Sequence, residues 1–173
     1  NMAEEEHQSA ERQSFLELTR GIASLPLDQA AAVLETSAAI ASVSLRAGIE
    51  FLRAAPAAAH LLQPAELRSW GEMGRRLAMA DYQSAISFFD DGVESLQSVP
   101  TELHPAIFVL CTRQMGLSTV IGRETLHSLP SIVAEIDDHE LLRSILEIAT
   151  EIARRSAKHS AEFLNESSAV SRE

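Results

Sequence analysis

Apolar residues recur along this chain at spacings of three and four, the period of a helix with one buried face. Leu67, Trp70, Met73, Gly74, Leu77 and Ala78 form one such stripe, and Leu141, Leu142, Ile145, Leu146, Ile148 and Ile152 form another. Between them, the segment Ser84 to Leu96 carries Ile86, Phe88, Phe89, Val93 and Leu96. No stretch alternates apolar and polar positions for long enough to predict a strand. The prolines at 26, 56, 64, 100, 105 and 130 and the acidic turn Asp137-Asp138 mark breaks. Thr101 and Asp138 read as N-caps of the helices that follow them. The pattern predicts an all-α chain of eight or nine helices joined by loops of about two to six residues.

A longer period runs over the helical one. Phe15, Phe51, Phe89, Leu126 and Phe163 stand in one column, with separations of 36, 38, 37 and 37 residues. Seven residues beyond the anchors stand Ile22, Ala58, Leu96 and Val133; ten beyond stand Leu25, Leu61, Val99 and Ile136. Nineteen beyond stand Leu34, Trp70, Phe108 and Ile145; twenty-six beyond stand Ala41, Leu77, Met115 and Ile152. Every member is apolar. Seven residues are two helical turns, so each pair of columns occupies one face of one helix. The expected unit is a helix pair. Helix A starts near the aromatic anchor, a turn follows, and helix B carries the Trp70/Phe108 position. Such pairs bury their seam only by stacking on neighbours.

Two helices of the second kind look apolar on every side. One holds Ala30, Ala31, Ala32, Val33, Ala38, Ala39, Ile40 and Ala41; the other runs from Ala106 to Leu117, with Leu110 and Leu117 behind its main stripe. Helices of that composition are expected to be buried all round. The expected fold is therefore a compact, curved α-solenoid of stacked antiparallel helix pairs with a period of about 37 residues. The expected organisation is an acidic, disordered tail at 1–10, one helical-repeat domain over 11–167, and a flexible end at 168–173.

Composition narrows the function. The chain has 173 residues and 46% hydrophobic residues, enough for one domain with its own core. Its formal net charge of −11 repels phosphate backbones, so nucleic acid is an unfavourable partner. The single cysteine, Cys111, excludes an internal disulfide framework. The longest apolar run, Ala106 to Cys111, is far short of the ~18–20 residues that a bilayer span needs, so no membrane association is expected. Asn1 precedes Met2, the expected natural start, and Glu4-Glu5-Glu6 gives no secretory signal, so a cytoplasmic location is expected.

The sequence Phe51-Leu52-Arg53-Ala54-Ala55-Pro56, with Leu61-Leu62, Leu67-Arg68-Ser69-Trp70-Gly71 and Leu77-Ala78, resembles a known pattern. It is similar to the helical repeats upstream of the von Willebrand A domain in bacterial NorD/CoxE-type proteins. The likeness spans residues 15 to 165. It rests on this unit, with the Pro56 position echoed one residue out of register by Pro130 and lost in the third unit. The metal-ion-dependent adhesion motif of that family, Asp-x-Ser-x-Ser, does not occur in this sequence. The resemblance implies an adaptor region that works with a MoxR-type AAA+ ATPase, as the N-terminal part of a longer chain.

Candidate chemistry is sparse. Glu124 and His127 have the Glu-x-x-His spacing of a di-iron bundle, as do Glu4 and His7, but prolines cut the helices shorter than such a bundle needs. Glu135, Asp137, Asp138, His139 and Glu140 could gather round a cation; they lack an EF-hand's spacing and glycine, and helix capping by Asp138 accounts for them. Cys111 lies in an apolar run, where a thiol packs as a small hydrophobe. His60, His104 and His127 lie near helix ends, where capping or surface roles are expected. Trp70 shares its column with Leu34, Phe108 and Ile145, which assigns it to the core.

The expected function is a non-catalytic protein–protein interaction scaffold with no cofactor and no metal. Its partner-binding face is expected at Arg68, Glu72, Arg75, Arg76 and Arg113, against an acidic or helical partner. The alternative is a small helical ligand- or metal-binding protein or enzyme, with a pocket near Glu124 and His127 lined by Met73, Met115 and Cys111. A homodimer sealed through an open edge at Phe163 and Leu164 is a third reading.

Overall fold

The computed structural model describes residues 1–171, apart from the side chains of Glu11, Phe15 and Ser171. Among the described residues the fold is all-α, with nine α-helices and no strand. They are α1 (Met2–Ala23), α2 (Leu27–Ala41), α3 (Leu45–Ala58), α4 (Pro64–Ala80), α5 (Tyr82–Asp91), α6 (His104–Met115), α7 (Thr119–Glu135), α8 (His139–Ile152) and α9 (Ala157–Ser171). Two 3₁₀ turns, Glu94–Ser98 and Thr101–Leu103, join α5 to α6.

Consecutive helices pack antiparallel. Helices two apart also touch: α1 on α3, α2 on α4, α3 on α5, α4 on α6, α6 on α8 and α7 on α9. Helix ends follow the local chemistry. Ser44, Asp81, Ser118 and Asp138 accept hydrogen bonds from the first free N–H groups of α3, α5, α7 and α8. Pro64 opens α4, and Glu66 reaches back 2.6 Å to the Gln63 N–H.

The core centres on four rings. Trp70 lies 5.5 Å from Phe51, 5.1 Å from Phe89 and 6.2 Å from Phe88, centroid to centroid. Gly71 and Gly74, on the same face of α4, make room for them. A Cβ at Gly71 would overlap Thr36 Cγ2 of α2, and one at Gly74 would overlap the Phe89 ring of α5. Trp70 is therefore a core residue, as its column predicts. The apolar columns fall in register: Leu34, Trp70, Phe108 and Ile145 lie on α2, α4, α6 and α8. The Phe15 side chain, the first anchor, lies outside the described residues.

Several expectations are corrected. The aromatic anchors sit inside their helices rather than at the start, because α3, α5, α7 and α9 begin at least six residues earlier. Pro56 and Pro130 lie within α3 and α7 instead of breaking them. Each removes one ladder hydrogen bond, and the flanking Ala55 and Ala58, or Leu129, Ile132 and Val133, are buried and hold the helix together. Thr101 opens a 3₁₀ turn, and α6 starts at His104. Residues 1–10 are exposed, and those from Met2 on are helical, with Asn1 as N-cap accepting from the Ala3 N–H. Helix α9 continues through Ser171, and Ser168 is buried and donates to Glu135; residues 172–173 lie outside the described residues.

Helix α6 meets the expectation of wide burial, with Ile107, Phe108, Leu110, Cys111 and Met115 all enclosed, although Val109 and Leu117 are exposed. Helix α2 does not. Val33, Thr36, Ser37 and Ile40 are buried, but Leu27, Ala31, Leu34 and Ala38 form an exposed apolar stripe. The physical reason is position: α3 and α4 pack closely on α2 and α1 only lightly, and among the described residues no further helix packs closely against it. The expected open edge at Phe163 and Leu164 is closed, since Leu164 is only 1% exposed and Phe163 packs on the core between α7 and α8.

Candidate functional site

The residues expected to meet a partner divide into two groups. Arg75 is held by Glu72 in a two-pronged pair, Nε to Oε2 at 2.7 Å and Nη2 to Oε1 at 2.8 Å. These hydrogen bonds hold the Glu72 carboxyl below the usual carboxylate range. Arg76 Nε also reaches Glu72, at 3.2 Å. Arg68 crosses to Glu35 of α2 at 3.3 Å. Arg68, Glu72 and Arg75 thus have their charges met within the chain.

Arg76 and Arg113 come together at a shallow cleft between α4 and α6. Its volume is about 470 Å³, and it is lined by Ser69, Arg76, Phe108, Val109, Thr112 and Arg113, with Gly116 at one end. Gly116 has no side chain to fill the space that the Arg76 guanidinium approaches. Val109 is 52% exposed on the cleft. Among the described residues Arg113 forms no ion pair, and Arg76 shares its one acidic partner, Glu72, with Arg75. The cleft therefore combines an apolar patch with the unpaired Arg113 and with Arg76, which shares the Glu72 carboxylate with Arg75, on a protein that is strongly acidic overall.

A second cleft, of about 1,020 Å³, separates α5 from α7. Leu77, Phe88, Val93, Leu96 and Leu126 form its apolar surface. Arg123 spans it from α7, donating to Ser84 O at 3.3 Å, Ser87 Oγ at 3.0 Å and Asp91 Oδ2 at 3.1 Å, with its guanidinium 5.9 Å from the Phe88 ring centre. Glu124 and His127 line this cleft from exposed positions. Met73, Cys111 and Met115, expected beside them, belong to the core instead. Burial pushes the Cys111 thiol up, so it stays protonated. Among the described residues no group of three or more His, Cys, Asp and Glu side chains is placed to hold a metal. The acids near 135–140 are spread out: Asp138 caps α8, His139 lies 3.4 Å from Glu102, and Glu135 bonds to Ser168.

A third concavity, about 1,040 Å³, opens between α1, α2 and α3 and is lined by Leu18, Ile22, Leu27, Leu34, Ile49 and Leu52 among others.

Two buried polar links escaped the sequence reading. His104, expected at a surface or cap, is 1% exposed. Its Nε2 faces the carbonyls of Leu96 (3.3 Å) and Val99 (3.1 Å), so that nitrogen carries the proton, and Nδ1 lies 3.9 Å from the buried Glu66. Gln114 donates to Ser160 Oγ at 3.0 Å, and Ser160 donates to Ala149 O at 2.7 Å, joining α6, α9 and α8. Polar residues within apolar stripes were the only trace of these links in the sequence.

No helix among the described residues is long and apolar enough to cross a membrane. Compared with models of known protein families, with curated proteins and with solved structures, the chain matches none.

Proposed function

We propose that this chain is a non-catalytic scaffold of stacked helix pairs that binds an acidic segment of another protein in the α4–α6 cleft. The closely packed pairs are α2–α3, α4–α5, α6–α7 and α8–α9, with α1 laid against α3 at the first end. Contacts between helices two apart, with the apolar columns falling on corresponding helices, support this short solenoid reading.

The single observation that carries the function is the meeting of Arg76 and Arg113 beside exposed Val109. A net charge of −11 would repel an acidic partner from most of the surface. Arg113, unpaired, with the half-shared Arg76 on the same cleft gives one place where its carboxylates are attracted, which selects orientation as well as partner. Val109 supplies apolar contact between them, over the buried Phe108. The partner class that the family resemblance implies, a MoxR-type AAA+ ATPase, is one candidate for that role.

The test is a pair of affinity captures from the native host, with wild-type bait and with the Arg76→Glu/Arg113→Glu bait, compared by quantitative mass spectrometry. Both residues are partly exposed, so the variant keeps its fold, checked by circular dichroism. The expected result is a protein that wild type captures and the variant loses, with affinity weakened about tenfold or more. Identical captured sets from the two baits would overturn the assignment of the cleft.

A further inference from the structure

Helix α2 carries an exposed apolar stripe. Leu27 is 87% exposed and Leu34 is 52% exposed, and between and beyond them stand Ala31 and Ala38, also exposed. These four recur at i, i+4, i+7 and i+11, which keeps them on one line along the helix. Helices α4 and α6 have neighbours on both sides within their own row, whereas α2 touches only α4 in that row. The stripe continues into the apolar concavity walled by α1 and α3.

The order of residues in the stripe identifies what covers it. Large and small residues alternate: Leu, Ala, Leu, Ala. If a second α2 lies antiparallel across a two-fold axis between Ala31 and Leu34, Leu27 faces the alanine at 38 of the other copy. Ala31 then faces the leucine at 34, and the pattern repeats through the axis. Every leucine meets an alanine, so two identical helices interlock closely. A parallel pairing would set leucine on leucine and leave gaps between the alanines. Self-complementarity of this kind is what an isologous two-fold interface requires.

Charge agrees with this. Two copies at −11 each repel one another over most of their surface. Helix α2 carries only Asp28 and Glu35 as charged residues, and Glu35 is already met by Arg68 at 3.3 Å. This stripe is therefore a face on which two copies meet at little electrostatic cost. The stripe runs from the first residue of α2 to Ala38, most of the length of a 15-residue helix about 22 Å long.

We infer that the chain forms a two-fold homodimer through antiparallel packing of α2 against α2 of a second copy, with the α1–α3 concavity receiving the flank of the incoming helix. This site is separate from the α4–α6 cleft, and either can stand without the other.

The experiment is sedimentation equilibrium of the full chain across the micromolar range, for wild type, Leu27→Glu/Leu34→Glu, and Leu117→Glu. The expected result is a wild-type dimer, a monomer for the α2 variant, and a dimer for Leu117→Glu, whose position lies in an exposed turn away from the stripe. The two α2 positions are exposed, so circular dichroism is expected to show an intact fold. A wild-type monomer throughout, or a dimer that the α2 charges leave unchanged, overturns the inference. Cysteine cross-linking fixes the direction. Leu27→Cys/Ala38→Cys is expected to give a disulfide-linked dimer, and each single variant none, because the like positions are then about 16 Å apart along the axis. Cross-linking by the single variants overturns the antiparallel arrangement.

Discussion

Gly74→Ala tests the packing that holds α4 against α5. Gly74 lies in mid-helix, where alanine would ordinarily stabilise by about 1 kcal/mol through helix propensity. Here the added Cβ would overlap Phe89 Cζ and stand 2.5 Å from its Cε1. The ring has nowhere to go: Phe51, Trp70 and Phe88 surround it with centroids at 5.3, 5.1 and 5.6 Å. Overpacking a tight core costs about 1–3 kcal/mol, and a full ring displacement falls at the upper end. Subtracting the propensity gain leaves a net loss of about 2 kcal/mol. For a chain of this size that lowers Tm by about 4–8 °C. Thermal and urea unfolding followed by circular dichroism measure it. Gly116→Ala is the control, because its nearest neighbour is the flexible end of Arg76 at 3.1 Å, and its effect is expected within about 0.5 kcal/mol. In a Phe89→Leu background the cost of Gly74→Ala should shrink by about 1 kcal/mol or more, since the obstructing ring is gone. A Gly74→Ala protein as stable as wild type, or an equal cost in both backgrounds, would refute the packing argument.

Other expectations concern buried polar groups and pH. Ser160→Ala strips the Gln114 amide of its acceptor in a fully buried site and should cost about 1–3 kcal/mol in urea unfolding. Glu50 and Glu72 should respond in opposite senses to neutralisation. Burial and the neighbouring Asp90 raise the Glu50 carboxyl above its ordinary value, so its charge disfavours the fold at neutral pH, and the penalty disappears as pH falls through the raised value. Glu50→Gln is therefore expected to hold or raise stability at pH 7, offset in part by the lost contact to Arg53 at 2.7 Å, with the difference shrinking on acidification. The Glu72 carboxyl is lowered by Arg75, so its contribution is present above the ordinary carboxylate value and lost as pH falls through the lowered one. Glu72→Gln should reduce stability at pH 7 and matter little in strong acid. Unfolding curves at a series of pH values check both signs.

Much of the fold could be read in the sequence because helical burial repeats at short range. The stripe from Leu67 to Ala78 needs only its own spacing to predict α4, and the column through Trp70 and Phe108 correctly groups α4 with α6. What failed depended on neighbours. Proline reads as a break locally, yet Pro56 and Pro130 persist in helices whose buried faces run past them. An alanine-rich helix apolar on all sides reads as buried on all sides, but α2 has a packed neighbour on only one flank of its row. The site was partly legible for a similar reason. Five charged residues on α4 and α6 stood out, but only three-dimensional packing shows that Glu72 and Glu35 satisfy three of the arginines in part or whole. The same packing brings Arg113 from another helix to Arg76. Arg123, which spans the α5–α7 cleft, gave no local signal because its partners lie more than thirty residues away.

The central claim, that the α4–α6 cleft is a protein-contact surface, is tested most directly by photocross-linking in the native host. A photoreactive side chain placed at Val109 sits on the cleft, and one at the exposed Val170 on α9 reports a surface away from it. The account predicts a discrete adduct from position 109, absent from position 170 and abolished by Arg76→Glu/Arg113→Glu, with an acidic segment of the partner at the cross-link. No adduct at 109, or the same adducts from both positions, would contradict it.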